Sequence, residues 1–205
     1  MARTLEDMQK TSQTICGLLL STKREGMDAV VKNIVELGFF TAPASMANHL
    51  NYEGGLAEHS FNVCEMAMKL RACLIEKVPD VASRLERDSV VVASLLHDVC
   101  KADIYKSAKK FKKNDEGRWE SYAGYSVDYS HMPYGHGEKS VIMLLRWGLR
   151  LTDDEIMAIR WHMSAWDLAF QSYEQRGCLS AAAVNCPLLA VIQAADGLSA
   201  HVLEV

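Results

Sequence analysis

The chain has 205 residues, 49% of them hydrophobic, enough for one sizeable core, with two small domains the weaker alternative. A formal net charge of −4 excludes a generic polyanion binder, so any contact with nucleic acid has to be local. No apolar run follows a basic start and no apolar stretch is long enough to span a bilayer, so a cytoplasmic protein with no membrane partner is expected.

Helical periodicity dominates. A first helix is predicted from Thr4 to Leu20 and a second from about Lys23 to Leu37, with Gly38 ending it and Pro43 in the turn beyond. These helices form an N-terminal region, residues 1–45, expected to pack on a core formed by residues 46–205. The loop NHLNYEGG leads into a long amphipathic helix from Leu56 to Lys77, broken at Pro79-Asp80. A helix from Asp88 to Lys101 carries VVASLLHDVCK. It is apolar on nearly every face except at its C-terminal end, so a central, buried position is predicted. From Lys106 to Tyr134 the character changes. A turn signal at Asn114-Asp115-Glu116-Gly117, flanked by aromatic-rich stretches, reads as a hairpin. Gly135-His136-Gly137 opens the next helix. Thr152, with Glu155 three residues on, makes a capping box for a helix running through Ile156 to His162. Cys186-Pro187 starts a last helix that carries Asp196. The predicted fold is all-α, a helical bundle with one small β-hairpin insertion.

Four of the seven histidines join two aspartates in an ordered series: His59, His97-Asp98, His136, His162 and Asp196. Each lies in a predicted helix or at its start. Imidazole and carboxylate donors suit Mn, Fe, Co, Ni or Zn rather than the thiolate set of a structural zinc site. Neighbours on a helix point about 100° apart, so His97 and Asp98 can serve two metals or two sides of one. Burying that pair in an apolar helix is costly unless it is paired or coordinated. Any one of these histidines taken singly reads as a satisfied core residue; the ordered set reads as a site. His131 is an alternative to His136, and His49, before NYEGG, is either a substrate contact at the site mouth or a loop histidine.

At GGLAEHS, LLHDVCK, YGHGEKS, IRWHM and IQAADG the chain resembles the HD superfamily of metal-dependent phosphohydrolases, over roughly Asn48 to His201. Five matched segments in order are a far more specific signal than a bare His-Asp pair. The order corresponds to the binuclear version of the family pattern. Its Gly-Gly-Leu-x-Glu-His and Leu-Leu-His-Asp-x-x-Lys segments look most like the HD region of bacterial 3′-to-5′ exoribonucleases. No OB module precedes that region here, which argues against a polymeric substrate. The resemblance implies a phosphodiesterase-like bundle around two divalent metal ions (Fe, Mn, Ni, Co, Zn or Mg). It implies that His59, His97, Asp98 and Asp196 hold one metal, and that Asp98 bridges to a second completed by His136 and His162. A metal-activated water then attacks the phosphoester. Lys101, on the same helical side as Asp98, matches the family's phosphate-side lysine. Asp98 and Lys101 are thus the expected catalytic residues, and Lys101 and His49 the expected substrate contacts. The expected substrate is a small phosphorylated molecule such as a nucleotide. A di-iron oxygenase is the alternative, because the myo-inositol oxygenase branch uses a similar series and also a lysine after the His-Asp pair. A non-catalytic nucleotide- or RNA-binding module is a third reading, opposed by the retention of all six positions.

Lys106, Lys109, Lys110, Lys112 and Lys113 form a basic run among or before Tyr105, Phe111, Trp119, Tyr122, Tyr125, Tyr129 and Tyr134. One reading is a flap that attracts phosphate and stacks a base, with single-stranded nucleic acid as the larger partner of that kind. The other is a solvated hairpin whose aromatics pack on the bundle, favoured because short hairpins need cross-strand aromatic pairs. Pocket shape is expected from the loop at about His49 to Gly55, the hairpin, and the segment Trp166 to Gly177. The six cysteines contain no Cys-x-x-Cys pair and read as reduced core residues. The amphipathic N-terminal helices either cap the bundle or pair two chains, so the oligomeric state stays open.

Overall fold

The computed structural model describes residues 4–164 and 172–204. Trp166, expected near the pocket, lies outside the described residues, as does the rest of residues 165–171. The element order is α1 (Leu5–Ser21), α2 (Met27–Leu37), α3 (Gly55–Lys77), a 3₁₀ turn (Pro79–Arg84), α4 (Arg87–Leu96), a short α5 (Lys101–Ile104), β1 (Tyr105–Lys113), β2 (Trp119–Val127), α6 (His136–Arg146), α7 (Asp153–Trp161), α8 (Tyr173–Asn185), α9 (Pro187–Leu198) and a π-helical turn (Ser199–Leu203). This is an all-α bundle with one β-hairpin.

Every residue from Ser89 to Ala102 is buried, as the apolar surround of VVASLLHDVCK requires. Around this axis one hydrophobic cluster gathers Ile15 and Leu19 of α1, Val30 and Ile34 of α2, Leu56 and Val63 of α3, Ile159 of α7, and Leu188 and Ile192 of α9. Full burial of such side chains stabilises by roughly 1.5–3 kcal/mol each. The N-terminal helices share this core with the rest of the chain. Among the described residues no single helix is long and apolar enough to cross a membrane.

α1 starts at the predicted cap, with Thr4 and Asp7 closing a capping box. α2 starts at Met27, later than periodicity suggests, because residues 22–26 are given to a contact elsewhere. The loop seats on the α6–α7 turn so closely that a Cβ on Gly26 (φ +86°) would lie 2.0 Å from the Gly148 carbonyl oxygen. Arg24 reaches the same region and grips the fully buried Glu155 through two nitrogens, at 2.7 and 2.8 Å. Glu155 also accepts the Thr152 backbone N–H, so the predicted capping box of α7 forms around a buried ion pair.

The single helix expected from Asp88 to Lys101 ends as an α-helix at Leu96. Beyond it the amides bond three residues back: Val99 to Leu96, Lys101 to Asp98 and Asp103 to Cys100. Side chains three apart eclipse in this tighter winding. α8 was not anticipated. Its sequence, YEQRGCLSAAAVN, is small and polar, and only Ala182 is buried, so no apolar stripe marked it.

The hairpin pairs Tyr105 with Val127 through Lys113 with Trp119, antiparallel. Asn114 turns it, its side-chain oxygen accepting from the amides of Glu116 and Arg118. The expected packing of its aromatics on the bundle fails at the tip: Phe111 and Trp119 are 62% and 68% exposed. The ribbon projects, and lysines instead cover the rings, Lys113 over Trp119 and Lys112 over Tyr122. Of the six free cysteines, Cys64, Cys100 and Cys186 are buried as expected, whereas Cys73 and Cys178 are exposed.

Candidate metal centre

Four helices converge on Asp98. His59 comes from the first turns of α3, His97 and His162 stand at the C-termini of α4 and α7, and Asp196 lies in α9. His59, His97, Asp98 and His162 are buried. The His97 Nε2 is 3.4 Å from Asp98 Oδ2, and the His162 Nε2 is 3.4 Å from Asp98 Oδ1. The His59 Nε2 is 3.2 Å from Asp196 Oδ1 and 3.8 Å from Asp98 Oδ2. Ligand atoms of His59, His97 and Asp98 lie within 4.8 Å of one another, as do those of His97, His162 and Asp196.

The two helix-terminal histidines use the same local device. Each ring donates its Nδ1–H to the carbonyl three residues back, His97 to Ser94 at 2.8 Å and His162 to Ile159 at 2.7 Å. A carbonyl only accepts, so this fixes the proton on Nδ1 and leaves Nε2 as a lone pair directed inward. His59 is held likewise, by a carboxylate: its Nδ1 lies 3.0 Å from Glu204, which also accepts from the Asn62 amide at 3.0 Å. The outcome is a set of buried atoms with no hydrogen-bond partner among the described residues: Nε2 of His59, His97 and His162, and Oδ1 of Asp98. Uncompensated burial of this kind is costly in a folded protein. Three imidazole nitrogens directed inward around a carboxylate fit a divalent cation, and the outer hydrogen bonds are of the kind that orient metal-binding imidazoles.

Lys101 lies directly over Asp98, Nζ to Oδ2 at 2.5 Å, as the eclipsed winding demands. Burial works against both charges. The ammonium beside Asp98 nevertheless holds that carboxyl well below the usual carboxylate range, and the carboxylate holds the Lys101 ammonium above its ordinary range. Burial pushes His59 down, yet Asp196 and Glu204 outweigh it and raise its pKa to about 9. Burial would raise Asp196, but His59 and the neighbouring imidazoles hold it low. Burial pushes the Cys100 thiol up to about 12, so it stays neutral and donates to the His136 carbonyl at 3.3 Å.

His59, His97, Asp98, His162, Asp196 and Lys101 share one cluster. His136 lies next to it, its ring centroid 6.3 Å from that of His162. A Cβ on Gly137 would lie 2.3 Å from the Arg160 carbonyl oxygen, so the start of α6 packs directly on the end of α7. His131 is exposed and pairs with Asp103 at 2.9 Å, which also holds the buried Lys139 at 2.6 Å. His49 is half-buried beside the cluster, its ring 5.0 Å from that of His59 and its Nε2 3.9 Å from Glu204. Glu204 escaped the sequence reading altogether. A glutamate in HVLEV carries no spacing signal, and only the π-helical turn after α9 brings it back to α3.

The family model described as HD domain matches residues 56–201. A curated relative, dihydroneopterin 2′,3′-cyclic phosphate phosphodiesterase of Methanocaldococcus jannaschii, is 35% identical over 88 residues, which are 43% of this chain. The chain spans 32% of that relative's length. No solved structure matches the chain.

Proposed function

Because the chain belongs to the HD-domain family, we propose that it is a metal-dependent phosphohydrolase that cleaves a phosphoester of a small, nucleotide-like molecule at a two-metal site. The observation that carries this reading is the set of three buried imidazole Nε2 atoms that converge, within 3.2–3.8 Å, on the Asp98 and Asp196 carboxylates. His59, His97, Asp98 and Asp196 would hold one cation. Asp98, His162 and His136 would hold the second, the His136 and His162 rings lying edge to face with centroids 6.3 Å apart. When bound, such cations polarise the phosphoryl oxygens and lower the pKa of a water.

The chain's own residues do the rest. Glu204 and the Ser94 and Ile159 carbonyls orient the imidazoles. Lys101 supplies a buried positive charge where phosphoryl oxygens gain negative charge. His49, its ring 5.0 Å from that of His59, would contact the substrate. The relative's cyclic phosphate substrate favours a phosphodiester, and favours hydrolysis over the oxygen chemistry that a similar ligand series supports.

The test is an assay of the Mn²⁺-loaded protein against a model phosphodiester and a panel of nucleotides and cyclic nucleotides. The wild type releases product and Asp98→Ala does not. Lys101→Ala retains metal and loses about 10²–10³ in kcat. His136→Ala loses one of two metals by elemental analysis. A fully loaded wild type that releases no product from any of these compounds refutes the proposal.

A further inference from the structure

Alternation along the hairpin puts Tyr105, Ser107 and Lys109 on one face, opposite Val127, Tyr125 and Ala123. That face meets the loop Asn51–Glu53 across a groove of about 640 Å³. Both walls continue chain segments that also carry residues of the metal centre or its surroundings. On the loop side, Asn51 follows His49 by two residues, and the Tyr52 hydroxyl donates at 2.8 Å to Glu58, the neighbour of His59. On the ribbon side, β1 follows directly on α5, whose first residue is Lys101, the Tyr105 amide donates to the Lys101 carbonyl, and Ser107 comes two residues later. Two residues along a strand advance roughly 7 Å, which is the scale that separates phosphate from ring in a nucleotide.

We propose that this groove seats the ring system of the substrate, and that the ring is a planar nitrogen heterocycle of nucleoside size. The inference rests on the phosphohydrolase reading of the neighbouring centre. The volume lies within the range of small-ligand sites. Tyr52 and Tyr125 are half-buried and give the groove aromatic surface. Between them stand groups that suit a polar ring edge: the Asn51 amide both donates and accepts, Glu53 accepts from ring N–H or amino groups, and Lys109 donates. An acyl chain would find three charged or amide groups in its path, and a bare phosphate would leave the groove unused. Phe111 and Trp119 lie farther out on the same ribbon face. They make a polynucleotide the competing occupant that the experiment has to separate.

The experiment compares the metal-loaded wild type with Tyr125→Ala, Glu53→Gln and, as a conservative control, Tyr125→Phe. The substrates are guanosine and adenosine 2′,3′-cyclic phosphates, set against glycerol 1,2-cyclic phosphate. In the wild type kcat/KM favours the nucleoside esters. Tyr125→Ala lowers that ratio at least tenfold, chiefly through KM, Glu53→Gln changes the guanosine-to-adenosine preference, and Tyr125→Phe keeps both. Saturation-transfer NMR with the phosphate-free nucleosides gives a second readout: they bind the wild type and lose binding in Tyr125→Ala. If no phosphoester is turned over, the phosphohydrolase reading fails, while the nucleoside titration still decides the groove. A substrate ratio unmoved by Tyr125→Ala overturns the inference. So does a single-stranded oligonucleotide that binds far more tightly than any nucleoside and depends on Phe111 and Trp119 instead of Tyr125.

Discussion

His59 is pulled in two directions: burial disfavours its charge, and the Asp196 and Glu204 carboxylates favour it strongly enough to lift its pKa to about 9. The unfolded value is about 6.5, so the proton on His59 stabilises the metal-free fold fully below that pH, and the contribution is lost as pH rises through about 9. A cation bound at Nε2 has to displace this proton. Affinity for Mn²⁺, measured by isothermal titration, is therefore expected to rise about tenfold per pH unit between about pH 6.5 and 8.5, with release of about one proton per metal. A flat profile contradicts the assignment of His59. The residue scale is also where the sequence spoke most clearly. Histidines and a His-Asp pair are chemically distinct in an apolar surround, and Asp98 and Lys101 are close enough in sequence for helical winding alone to bring them together. Glu204 was not legible, because its partner His59 is 145 positions away.

At the scale of elements, α7 has to be held in place for His162 to reach Asp98. Its N-terminus is fixed twice, by the Thr152–Glu155 capping box and by Arg24 on Glu155. The two devices differ in cost. Removing a cap costs about 1 kcal/mol, whereas leaving a buried carboxylate without its partner costs about 3–5 kcal/mol. Arg24→Met is thus expected to lower the urea-unfolding free energy by several times the effect of Thr152→Ala; equal effects mean that Arg24 is not the anchor. The capping box was readable from Thr-x-x-Glu, because both members lie in one turn. The Arg24 contact was not, and neither was the later start of α2 that goes with it. α8 stayed hidden for the opposite reason. It presents almost nothing to the core, and a helix without an apolar face leaves no period to read.

For the whole molecule, the centre is where α3, α4, α7 and α9 meet, so a bound cation ties together segments that the chain connects only through long excursions. Ligand binding to the folded state alone stabilises by about 2.7 kcal/mol at a hundredfold excess over Kd. For a chain of this size that corresponds to about 5–10 °C in Tm. Stripping with EDTA should lower the melting temperature by that amount, and Mn²⁺ should restore it in the wild type but not in Asp98→Ala; an unchanged Tm argues against metal at this centre. The N-terminal helices are expected to melt in the same transition, since Ile15, Leu19, Val30 and Ile34 belong to the common core. The sequence by itself determined the helical class, the buried axis that carries His97-Asp98, the hairpin turn and the roster of candidate ligands. These depend on side-chain chemistry and on periodicities of a few residues, which any stretch of chain displays. Only the tertiary structure decided that the His136 ring meets that of His162, that Glu204 returns to orient His59, and that the hairpin faces the Asn51–Glu53 loop across a groove. Each of those is a distance between segments far apart in the chain, fixed by how the helices pack and written in no local pattern.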